Sequence, residues 1–182
     1  MTHGELTTHL AEILTQEFDQ YGIDVLYDHG QQTSHPNEVG EIASWFGESY
    51  NAETRLALLD IALVERATNK AIALIEIEET TDKPKVLIGD ILAILLGDGI
   101  KFRGERILTI ESWTTLIILG HYSHVPNWKR VHHLEKHANY LKSSMTTGNA
   151  HIGEIVFDLF DDSADLKAKA IEQIKHARRR FS

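Results

Sequence analysis

Apolar positions in this chain recur with two periods. At a spacing near 3.6, Leu6, Leu10, Ile13, Leu14, Phe18 and Tyr21 share one face and predict a helix over 4–21, with Gly22 as its stop. Residues 23–27 predict a short strand, and the polar segment 29–37, with its proline, a loop. Val39, Ile42, Ala43 and Phe46 repeat the helical spacing, which predicts a second helix over 38–50 with Asn37 as its N-cap. The pattern then changes. Residues 56–64 and 71–77 are nearly continuous apolar runs of strand length, joined by the polar link 65–70, and predict an antiparallel hairpin buried on both faces.

Beyond the hairpin, Pro84 suits the first turn of a helix over 85–96 that buries Ile88, Ile91, Leu92 and Leu95, with Lys85 near that face and Asp90 opposite it. Gly97-Asp98-Gly99 closes the helix, and strands follow over 107–110 and 115–119. A helix over 127–142 packs through Val131, Leu134, Ala138 and Leu141. After a strand over 152–160, Ser163 caps a last helix that buries Leu166, Ala170, Ile174 and Ala177. This succession is that of a layered α/β domain with a mixed sheet.

At 182 residues and 42% hydrophobic, the chain suits one domain spanning 1–182. It has no apolar stretch of membrane-spanning length and no secretory leader pattern, so a cytoplasmic protein without a membrane partner is expected. With no cysteine, thiolate catalysis and cysteine-ligated metal are excluded, which leaves oxygen and imidazole ligands. A net charge of -9 argues against a generally basic nucleic-acid coat but permits a local groove.

Within the hairpin the exceptional residues are the carboxylates Asp60, Glu76 and Glu78. Side chains alternate along a strand, so Glu76 and Glu78 share one face. A buried, ionised carboxylate costs several kcal/mol unless it is paired or binds a cation. Hard divalent ions take oxygen ligands, so Asp60 and Glu76 suit Mg²⁺ or Mn²⁺, with Glu78 binding a second ion or acting as general base. If the three converge without metal, at least one pKa should rise. The structural alternative is a solvent-facing strip, or salt bridges with Arg55, Arg66 or Lys85. Among the eleven histidines, His133 and His137 at i, i+4, with His121 and His124 before them, offer a zinc-binding reading. Gly97-Asp98-Gly99 follows a helix rather than opening one, so it reads as a cap and not a phosphate loop. Lys167, Lys169, Lys175, Arg178, Arg179 and Arg180 read equally as phosphate contacts or as a solvated helix face.

An Asp on one strand followed by two acids at n and n+2 on the next resembles the signature of the PD-(D/E)xK nuclease superfamily, the restriction-endonuclease-like proteins, over roughly 38–119. The resemblance implies a three-layer fold, a mixed central sheet flanked by helices, whose core is helix, β-meander, helix and strand. It also implies a DNA endonuclease in which Asp60 and Glu76 hold Mg²⁺. The usual motif Lys is replaced by Glu78, as in some restriction endonucleases; Lys83 or Lys85 would supply the missing cation, and Glu38 or Glu17, from an earlier helix, a further acid. A homodimer follows from the need to cut two strands and the prevalence of symmetric pairs. The contrasting expectation is a nuclease-like module that binds or assembles without catalysis.

Overall fold

The apolar run 56–64 does not form one strand, because the chain changes sheets at Asp60. The computed structural model of the protein describes residues 3–29, 37–78, 84–122 and 127–181. Helix α1 (His3–Phe18) and a 3₁₀ turn end at Gly22 (φ 71°), and β1 (Ile23–Tyr27) follows. Then come β2 (Ile42–Trp45), β3 (Arg55–Leu59), β4 (Ile61–Glu65), β5 (Ala71–Glu78) and α2 (Pro84–Leu96). The remainder is β6 (Gly99–Phe102), β7 (Arg106–Leu108), β8 (Thr115–His121), α3 (Trp128–Ser144), β9 (Glu154–Phe160) and α4 (Ser163–Phe181).

A mixed five-stranded sheet has the order β1-β4-β5-β8-β9, in which β4 runs antiparallel to both neighbours while β5, β8 and β9 are parallel. An antiparallel four-stranded sheet has the order β3-β2-β6-β7. Strands buried on both faces explain the continuous apolar runs of β4, β5 and β8. On one face of the mixed sheet, Leu63, Ile75 and Ile117 pack against Leu10, Leu14 and Phe18 of α1 and Leu166 and Ile174 of α4. On the other, Leu74 and Ile118 pack against Ile91 and Ile94 of α2, Val131 of α3, and Ile100 and Phe102 of the second sheet.

The expected helix over 38–50 is not formed. Ile42, Ala43 and Ser44 are buried in succession, and Phe46 is exposed; β2 is the strand joining β3 to β6. Pairing on both edges outweighs the helical spacing of Val39, Ile42, Ala43 and Phe46, and Gly47 at φ 82° would end a helix there. Asn37 therefore caps nothing. The hairpin is β4–β5, closed through the link 65–70 by Glu65 N–H donating to the Lys70 carbonyl at 2.9 Å. Strand β6 was hidden behind the glycines that end α2. Asp98 does not form a phosphate loop: its carboxylate accepts from Gly47 N–H at 2.7 Å. At the last helix, Asp162 rather than Ser163 provides the cap, its Oδ1 accepting from the N–H groups of Ala164 and Asp165, each at 2.8 Å. The expected turn over 80–85 and loop over 29–37 lie largely outside the described residues, as do Lys83 and His124. Among the described residues no helix is long and apolar enough to cross a membrane.

Candidate metal centre

The β4–β5 ladder pairs Ile61 with Ile75, and one further step brings Asp60 opposite Glu76. Opposed residues of an antiparallel pair point to the same side of a sheet. Leu74 belongs to the layer beneath α2 and Ile75 and Ile77 to the layer beneath α1, so Glu76 and Glu78 point toward α2. Asp90 on α2 faces them. Asp60, only 6% exposed, occupies the break between β3 and β4 and is fixed from two directions. Its Oδ2 accepts from the Ile77 N–H at 2.8 Å, and its Oδ1 lies 2.8 Å from Nε2 of His3, which reaches in from the first turn of α1.

These groups line an open hollow of about 210 Å³ where β5 ends and β4 begins. Asp28, Asp60, Glu76, Glu78 and Asp90 supply carboxyl groups, and His3 and His29 supply imidazoles. No lysine or arginine is among the described residues that line it. Burial, first of all, pushes the Glu76 carboxyl well above its ordinary range; the charge of Asp60, a hydrogen bond between the two carboxyl groups, and the charges of Asp90 and Glu78 add to this. Asp90 is raised as well, by burial and then by Asp60. Burial and the charge of Asp60 thus favour the protonated forms of Glu76 and Asp90, the opposite of what a nearby cation would do.

Among the described residues, the two arginines of the salt-bridge alternative do not reach this cluster. Arg55 pairs with Glu41 at 2.5 Å, and Arg66 with Asp19 and Asp24 at 2.5 and 2.6 Å, so both arginines are engaged elsewhere. Lys85 is exposed and does not line the hollow, since it lies on a different side of α2 from Asp90. Neither suggested helical acid reaches the hollow. Glu17 pairs with Lys175 of α4 at 2.8 Å, and Glu38 sits beside β1, its carbonyl accepting from Tyr27 N–H. The place expected for an acid from the first helix is taken by His3. His133 and His137 stack on the exposed side of α3 with centroids 6.3 Å apart, and His121 contacts the Asp161 carbonyl. Among the described residues, the group whose donor atoms lie within 4.8 Å of one another is instead His3, His29 and Asp60. Of the C-terminal cations, Lys169 and Lys175 form ion pairs within the chain, and Arg178 lies 3.6 Å over the Tyr21 ring.

Sequence reasoning missed His3, Asp28, His29 and Asp90. One signal was available, since Asp90 is the sole charged residue in the otherwise apolar stretch 86–96. The histidines carried none, because β1 and α1 are brought to Asp60 by the sheet order alone. Comparison with models of protein families, with curated proteins and with solved structures returns no match.

Proposed function

We propose that this protein is a metal-dependent phosphodiesterase of restriction-endonuclease-like architecture that hydrolyses DNA. The observation that carries the reading is the side-by-side placement of Asp60 and Glu76 at the end of two central strands, in a hollow lined by no lysine or arginine among the described residues. The succession α1, then the neighbouring strands β1, β4 and β5, then α2 and β8 has the order helix, meander, helix and strand that the resemblance implies, although α1 and β1 precede its span of 38–119 and β2 and β3 intervene between β1 and β4.

The donor set fits a hard cation: Asp60 and Glu76 would hold Mg²⁺ or Mn²⁺, and Glu78 would ligate or take a proton from water. When bound, the ion supplies Lewis acidity and a more acidic water. The chain's part is positional. The Ile77 N–H fixes the Asp60 carboxylate, and the open rim admits a phosphodiester, whose P–O bond breaks as water oxygen bonds to phosphorus and the leaving oxygen is protonated. A symmetric dimer would present two such sites to two strands.

The missing lysine favours one other reading, a module of this architecture that binds a cation without cutting. Plasmid and branched DNA incubated with the protein in Mg²⁺ or Mn²⁺ separate the two. Cleavage lost in Asp60→Ala and Glu76→Gln supports the phosphodiesterase; cleavage persisting in both variants refutes the site. An inert wild type that binds Mn²⁺ through Glu76 leaves the binding module.

A further inference from the structure

Within the same hollow, around Oδ1 of Asp60, the geometry points to a second cation site, built from His3, His29 and Asp60 and selective for a late first-row divalent ion such as Zn²⁺ over Mg²⁺. One donor atom from each residue lies within 4.8 Å of the others, and the two imidazole rings meet edge to face with centroids 5.9 Å apart. Donors bound at about 2.0–2.2 Å to one ion stand roughly 3–4 Å apart, so a small rotation of the half-exposed His29 ring completes the set.

A His–Asp hydrogen bond would account for His3 alone. His29 is brought there by three separate restraints. Its backbone has φ 61°, a left-handed conformation that non-glycine residues rarely adopt. Its carbonyl accepts from the Thr8 hydroxyl of α1, and its N–H donates to the Asp28 carboxylate at 2.9 Å. Gly4 clears its path, since a Cβ at that position would stand 3.2 Å from the His29 Cβ. The loop end is thus held in a strained shape against the first turns of α1, and the result is an imidazole placed beside His3.

Two imidazoles with one carboxylate match the ligand preferences of Zn²⁺, whereas Mg²⁺ prefers an all-oxygen shell with several waters. Three protein ligands leave a position for water. This inference rests on the proposed function only through Asp60, the ligand that would be common to both cations.

The test titrates Zn²⁺ into the full chain against a chromophoric chelator while NMR follows the histidine ring signals. One equivalent should bind in the presence of millimolar Mg²⁺, shifting the His3 and His29 signals and leaving those of His133 and His137 in place. His3→Ala and His29→Ala should each weaken binding at least ~10-fold, and Glu76→Gln should leave it. Melts without metal verify the fold of His3→Ala; the exposed His29→Ala provides a variant that leaves the His3–Asp60 hydrogen bond untouched. Unshifted His3 and His29 signals, or equal affinity in the wild type and His29→Ala, would overturn the site. Zn²⁺ binding lost in Glu76→Gln but kept in His29→Ala would also overturn it while leaving the carboxylate centre standing. Imidazole-dependent Zn²⁺ binding by a protein that cuts no DNA would instead count against the phosphodiesterase alone.

Discussion

Asp60 and Glu76 face each other across the β4–β5 pair, one step beyond Ile61 and Ile75 and beside the buried Ile77. Their juxtaposition makes the metal-free fold sensitive to pH in an unusual direction. The folded-state pKa of Glu76 lies above its ordinary 4.5, so the folded chain binds this proton more tightly than the unfolded chain. Its contribution to stability is fully present below about 4.5 and is lost as pH rises through the folded value. In chelator, each pH unit within that window should remove up to about 1.4 kcal/mol. Denaturant melts of the wild type and Glu76→Gln, compared pH by pH, isolate this effect; parallel curves would contradict it.

Divalent cation should reverse that trend. An ion that binds only the native state stabilises it by about 2.7 kcal/mol at a hundredfold excess over Kd, which for a chain of this length is roughly 5–10 °C in Tm. Differential scanning calorimetry at neutral pH with Mn²⁺ should show this gain in the wild type and little in Asp60→Asn. Glu111→Gln serves as control, since Glu111 pairs with Lys70 at 3.0 Å, away from the hollow. Equal gains in the wild type and Asp60→Asn would place the ion elsewhere.

Gly148 provides a test of how α2 is anchored. It has φ 63°, and a Cβ there would lie 2.5 Å from the Leu95 carbonyl oxygen and 2.7 Å from that of Gly97. The adjacent Asn149 donates its side-chain N–H to the Ile94 carbonyl at 3.0 Å and its backbone N–H to the Gly97 carbonyl at 2.8 Å, which ties down the end of the helix that carries Asp90. Gly148→Ala should cost about 2–5 kcal/mol in a urea melt. A loss below ~1 kcal/mol would show that this junction yields easily.

The sequence-derived expectations hold where one local pattern dominates. Helices α1, α2, α3 and α4 and strands β5, β8 and β9 carry clean periodicity or long apolar runs, and each forms within a few residues of its expected span. Strand β2 was misread because Val39, Ile42, Ala43 and Phe46 satisfy a helical spacing by coincidence, and its two partners lie far along the chain. At the hollow, Asp60, Glu76 and Glu78 were recognisable as charges within apolar strands. Asp28, His29 and His3 were not, because what selects them is the adjacency of β1 to β4 and the return of α1 over that edge.

One residue separates β3 from β4, although the two strands belong to different sheets. So short a joint has almost no slack. A partner that presses on the second sheet, whose Leu58 already forms part of the rim of the hollow, would transmit its displacement to Asp60 instead of losing it in a flexible loop. The carboxylate gripped by His3 and by the Ile77 N–H thus acts as the fulcrum between the sheets, and a load on one would be felt as a change of aim at the other.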